Sequence, residues 1–154
     1  MTITQAEIRL VQKCWFALSN HATSITADFY TELFKRYPEY RQYFRSDMKV
    51  HREKLMKMIN IIINGIDVWD KIEPEIYKLG KYHSKIGHFT AEDYLHVSDT
   101  LIWTMCRYKA TEGDEDTQDD ETEEAWRKIF ALISKTMLSA SETAGKSKST
   151  GHAL

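Results

Sequence analysis

With two prolines and six glycines in 154 residues, the chain has few breakers, which leaves long stretches free to stay in one regular element. Cysteine is scarce too. Cys14 and Cys106 lie far apart and form no C-x-x-C, which excludes a disulfide framework and a thiolate zinc site, so both are expected to be packing residues. No long apolar run occurs: the richest stretch, Met56 to Ile66, is interrupted by polar residues and falls far short of the ~20 residues a membrane-spanning helix needs. The N-terminal residues lack a basic segment followed by an apolar one, so no export signal is read and a cytoplasmic location is expected. What remains, 42% hydrophobic and 29% charged residues, fits one ordinary globular domain.

The formal net charge of −2 hides an uneven distribution. Residues 112–124 hold nine acidic side chains and no basic one; taking those nine from 23 leaves 14 acidic against 21 basic residues, a formal +7 for the rest. An EF-hand loop starting at Asp114 would need Gly at position 119 and Glu at position 125, where Asp119 and Ala125 stand. The segment therefore reads as a solvated connector. The basic residues elsewhere are spread along the chain with no arginine-rich run, so nucleic-acid binding is not expected.

Apolar residues recur at spacings of three and four rather than two, the signature of an all-α protein. Ile8, Val11, Trp15 and Leu18 stripe a first helix opened by Thr4, with Glu7 three residues on as a capping box. A second helix is expected after Ser24, carrying Phe29, Leu33 and Phe34, and is stopped by Pro38; Pro38 to Phe44 reads as a tight aromatic corner. Asp47 caps a third helix whose broad face (Leu55, Met56, Ile59, Ile62, Ile63) ends near Gly65. A shorter helix after Pro74 carries Ile76, Leu79, Gly80 and His83 before Gly87 ends it. Thr90 opens a fifth helix with Tyr94, Val97, Leu101, Ile102, Met105 and Tyr108, and a last one shows Trp126, Ile129, Phe130, Ile133 and Met137. Residues 141–154 have no periodicity and are expected to be a mobile tail beyond a domain of residues 1–140.

Of six histidines, His51 and His83 stand on apolar stripes. A lone histidine on such a face is more often a hydrogen-bonded boundary residue than a ligand. Two of them on different helices, with no carboxylate on either stripe, suit an iron between imidazoles better than a zinc hydrolase. No serine or cysteine stands in a strand-to-helix elbow, and Gly145-Lys146-Ser147 lacks the upstream glycine of a phosphate loop.

Over residues 4–140 the chain resembles the globins, and among them the neuroglobins and the haem domains of bacterial flavohaemoglobins. Trp15 matches the first-helix tryptophan. Phe29-Tyr30-x-x-Leu33-Phe34, Pro38 and Phe44 resemble the second helix, its corner and the haem-packing phenylalanine; His51-x-x-Lys54-Leu55-Met56 is similar to the distal stretch, and Leu79-Gly80-x-x-His83 followed by Tyr94 to the proximal one. The resemblance implies a three-over-three helical sandwich around haem b. It makes His83 the proximal iron ligand, His51 the distal histidine and a candidate second ligand, and Phe44, Leu55, Leu79 and Tyr94 haem contacts. It also makes Lys54 a propionate partner, and Arg45 is a second basic residue that could pair there, although exposed pairs of this kind contribute little and each reads equally well as an ordinary surface charge. Tyr30 reads alone as a boundary tyrosine; the resemblance puts its hydroxyl beside His51, as a donor to a polarised dioxygen.

Two departures bear on function. Flavohaemoglobins carry a reductase after the haem domain, for which 154 residues leave no room. They also place a glutamate late in the last helix, where this chain has Ser141 with Glu142 adjacent. Two classes stay open: a reversible binder of dioxygen, nitric oxide or carbon monoxide, and a redox enzyme such as a nitric oxide dioxygenase working with a separate reductase.

Overall fold

The capping box at Thr4 is formed: Thr4 Oγ1 accepts from the Glu7 amide and the Glu7 carboxylate from the Thr4 amide, both at 3.1 Å. It starts α1 (Gln5–Leu18) in a computed structural model that describes the backbone of residues 3–112 and 120–152 and the side chains of residues 3–108 and 120–143. α2 (Ala22–Arg36) begins ahead of Ser24, because the 3₁₀ turn Ser19–His21 feeds α1 into it with no extended cap between them. Pro38 stops α2, and Pro38–Tyr43 is one 3₁₀ corner. Asp47 accepts from the Lys49 amide and starts α3 (Met48–Gly65). α4 (Trp69–Ile86) starts before Pro74 and keeps that proline inside it. As the sixth residue of the helix, proline gives up the bond to the Asp70 carbonyl and crowds that carbonyl, a cost outweighed by burial of Ile72 and Ile76 on one face. A second box opens α5 (Ala91–Glu112), where the Thr90 amide donates to Asp93 Oδ2 at 2.8 Å and the Asp93 amide to Thr90 Oγ1 at 3.2 Å.

The last helix, α6 (Asp120–His152), runs on past Ala140, where the apolar pattern stops. The connector's residues 113–119 and the side chains from 144 onward lie outside the described residues. Among the described residues there is no strand, and no helix is long and apolar enough to cross a membrane.

α1, α3 and α4 adjoin in one layer and α2, α5 and α6 in the other; α4 and α1 cross on α6, and α2 on α3. This is the three-over-three sandwich expected. Ile25, Phe29, Leu33, Ile63, Ile76, Ile102, Met105, Trp126 and Ile129 are fully buried between the layers. Cys14 is buried and takes the Trp126 indole N–H at 3.4 Å; neither cysteine is disulfide-bonded.

The α4–α6 crossing depends on Gly80: a Cβ there would stand 2.5 Å from the Met137 carbonyl oxygen and 2.6 Å from its Cα. Both are backbone atoms, so no side chain can swing aside. Gly80→Ala gains up to about 1 kcal/mol of helix propensity. Overpacking against a helix backbone costs roughly 1–3 kcal/mol, and it wins here because the clash is with main chain. The variant is expected to melt several degrees lower by circular dichroism; an unchanged or higher midpoint would show that the helices separate freely.

Candidate functional site

Tyr30 and Phe34 are one turn apart on α2, and the 3₁₀ corner brings the chain back so that Phe44 meets both. Phe44 lies edge-to-face against Tyr30 (ring centroids 5.2 Å, 71°), Phe34 (5.2 Å, 67°) and His51 (5.1 Å, 80°). The Asp47 cap sets this up, since starting α3 at Met48 puts His51 one turn in. Tyr30 is buried, and its hydroxyl is 3.5 Å from the His51 carbonyl oxygen, the outer limit of a hydrogen bond. Burial pushes the Tyr30 phenol well above its ordinary range, so the group stays protonated and is a donor. His51, Tyr30 and Phe44, read separately from the sequence, are one cluster.

Arg41 joins them, and sequence reasoning missed it. Its guanidinium covers the Phe34 ring at 5.3 Å and donates to the Phe44 carbonyl at 3.2 Å and to Met48 Sδ at 3.1 Å. A signal existed: in a 3₁₀ turn residues i and i+3 share a side, which aligns Arg41 with Phe44. Burial lowers the His51 pKa, and the positive charges of Lys54 and Arg41 lower it further. Lys54 itself is exposed, as is Arg45, while Leu55 is half-buried against the core.

His83 sits in the last turn of α4, one turn beyond Leu79. Its ring meets Phe89 edge-on at 6.1 Å, and Phe89 meets Tyr43 of the corner at 4.8 Å. Burial lowers the His83 pKa, partly offset by the Leu79 carbonyl one turn back. Both imidazoles are thus held toward the neutral form, the form that ligates a metal. Leu79 and Tyr94 are half-buried against the core, and burial, aided by Asp93, pushes the Tyr94 phenol up to about 12. The contacts join Phe44, Tyr30 and Arg41 to His51, and Phe89 to His83.

Among the described residues two buried side-chain nitrogens have no hydrogen-bond partner, His51 Nε2 and His83 Nδ1. Leaving such a group unpaired costs about 1–3 kcal/mol, so two of them on the two histidines of the apolar stripes need a reason. Phe44 lies against His51 and Phe89 against His83, while Phe34, Leu55, Met56, Leu79 and Tyr94 are half-buried against the core. Neutral imidazoles with apolar surroundings and no gathered carboxylates suit a large apolar disc with an iron at its centre. Among the described residues no group of three or more His, Cys, Asp or Glu side chains forms a bare metal site. The residues present fit haem.

The sequence profile of the globin family, described simply as Globin, matches residues 27–137. The chain belongs to the globin family. It is similar to hemoglobin subunit zeta of Sus scrofa, 20% identical over 86% of this chain and 94% of that one. It is also 24% identical to a flavohemoprotein of Halalkalibacterium halodurans over 89% of this chain but only 33% of that protein's length. Among solved structures, an engineered carbene transferase from Rhodothermus marinus, with a provisional designation as a nitric oxide dioxygenase, superposes with a TM-score of 0.76 at 23% identity. That superposition covers 97% of this chain and 98% of that one. At such identities the superposition speaks for the fold, and the all-α globin fold is the one seen here.

Proposed function

We propose that this globin takes haem b, with His83 as proximal ligand and His51 as distal histidine, and binds a diatomic gas reversibly: dioxygen, with nitric oxide and carbon monoxide as further ligands. The observation that carries this is the pair of buried imidazole nitrogens without partners. Haem, when bound, supplies an iron centre able to take up such a gas. His83, one turn beyond Leu79, provides an imidazole that burial holds toward the neutral, ligating form. Phe44, Leu55, Leu79 and Tyr94 exclude water from the disc, and Lys54 at the exposed rim is a partner for its propionates. Tyr30, whose hydroxyl makes only a long contact to the His51 carbonyl, turns that proton to a better acceptor when a polar ligand arrives. A cytoplasmic location goes with this reading.

The flavohemoprotein and the Rhodothermus marinus protein favour a second reading, nitric oxide dioxygenation with a separate reductase. Oxygen equilibrium and nitric oxide consumption on the haem-loaded chain separate the two. The first predicts reversible oxygenation and poor nitric oxide turnover with a simple reductant; fast, sustained consumption by the chain alone would decide for the enzyme.

The haem-binding unit is proposed to be residues 1–140; of the acidic connector 112–124, the part ahead of the α6 start at Asp120 is dispensable, as is the tail 141–154. Neither stretch has an apolar stripe to add to the core. Shortening that part of the connector to a few residues and ending the chain at Ala140 is expected to leave haem content and absorption spectrum unchanged; a large loss of either would place these segments on the pocket.

A further inference from the structure

We infer that Tyr40, Asp93 and His96 form a lock that holds the distal and proximal sides of the site in register through the 3₁₀ corner, an inference that rests on reading His51 and His83 as those two sides. Tyr40 is the one buried residue of Pro38–Tyr43. Its hydroxyl is 2.7 Å from Asp93 Oδ1 and 2.8 Å from His96 Nδ1, both on α5. Burial pushes the Asp93 carboxyl up, but the Thr90 amide and the hydroxyls of Tyr40 and Thr90 outweigh it and hold it below its ordinary value. Asp93 is therefore a carboxylate and can only accept. The single Tyr40 proton goes to Asp93, and His96 must place its own proton on Nδ1 and donate to the Tyr40 oxygen. Every bond of the set is then used once. Tyr37 stacks on the His96 ring at 4.1 Å and 13°. Asp93 is at the same time the capping partner of Thr90, so the lock includes the start of α5.

The corner so held ends in two consecutive rings. Phe44, just past it, meets His51 at 5.1 Å, and Tyr43, its last residue, meets Phe89, which meets His83. Little slack exists on the second branch. A Cβ on Gly87 would come within 2.8 Å of Tyr43 Cε1 and 3.1 Å of Phe89 Cζ, so these rings already fill the space at the end of α4. Phe89 also directly precedes Thr90, whose amide the lock engages. Rotation of the corner about its covalent ends would thus displace Phe44 and Tyr43 together, and the Tyr40 hydroxyl is the polar tie from the corner to α5 that opposes it. Tyr40, Asp93 and His96 are positioning residues: they act on the histidines through Phe44 and through Tyr43 and Phe89.

The test uses the full chain, without haem and loaded with haem b. Tyr40→Phe removes the hydroxyl and keeps the ring. In the haem-free chain the imidazole resonances of both His51 and His83 are expected to shift in the NMR spectrum. In the loaded chain both the C–O stretch of the ferrous carbon monoxide complex and the iron–histidine stretch are expected to move. Tyr108→Phe removes a comparable hydroxyl on α5, bonded to Asp28 of α2 at 2.5 Å and away from the corner, and should lower stability without moving these signals. His96→Phe keeps the stack on Tyr37 and removes the Nδ1 donor, and it should repeat the Tyr40→Phe shifts. Movement of only one histidine, of neither, or equal movement in Tyr108→Phe would overturn the lock. A wild-type chain that took up no haem would instead overturn the haem assignment, while the resonances of the haem-free chain still decide the lock.

Discussion

His83→Gly is expected to lose haem on gel filtration and to lose the wild-type absorption spectrum, with free imidazole restoring much of it. The imidazole on α4 is half-buried, kept neutral by its surroundings, and has its Nδ1 without a hydrogen-bond partner. Loss of an outer-shell partner of a metal ligand already costs roughly 10–100-fold in affinity. Loss of the ligand itself must exceed that. Glycine also weakens the helix by about 1 kcal/mol relative to alanine, so His83→Ala separates ligation from helix stability, and the two variants should lose haem alike. His88→Ala, at an exposed position beyond the end of α4, should change nothing. A His83→Gly chain with an unchanged spectrum and no added imidazole would remove His83 from the proximal role.

Tyr30→Phe is expected to speed dioxygen release by about tenfold or more in stopped flow. A hydroxyl donating into a pocket of low dielectric contributes roughly 1–3 kcal/mol to a ligand that carries partial negative charge, and ~1.4 kcal/mol is a factor of ten. Two features of the residue put it at that end of the range. Burial keeps its phenol protonated, and its resting contact, 3.5 Å to the His51 carbonyl, is too long to compete strongly for the proton. Carbon monoxide, which is far less polarised, should be released at a nearly unchanged rate. Equal effects on both gases would point to lost packing against Phe44 and Phe34 instead.

The helices were readable where the signal is local. Thr4 with Glu7, Asp47 and Thr90 each act within three residues of the amides they satisfy, so sequence spacing alone locates the starts of α1, α3 and α5. Pro74 misled for the same reason: a proline is a local stop signal, but the buried face of Ile72 and Ile76 decides that α4 starts at Trp69. In the site, His51, His83, Tyr30 and Phe44 were legible because each stands on an apolar stripe or in a motif with fixed spacing. Phe89 was not, since what makes it part of the site is a packing partner on another element, and Arg41 only through its i, i+3 relation to Phe44, its contact with Phe34 lying across elements. The lock is the extreme case. Tyr40 meets Asp93 and His96 across 53 and 56 residues, a separation at which no periodicity carries information. Nor does a sequence show which nitrogen is left without a partner, because that depends on every neighbour being in place.

Titration of the haem-free chain with haem b, followed by absorption, tests the central claim most directly. The account predicts a Soret band that grows to one sharp break at equal amounts of haem and chain, a ferrous form whose band shifts with carbon monoxide, and loss of the break in His83→Gly. A featureless, unsaturable rise, or a break that survives in His83→Gly, would contradict it.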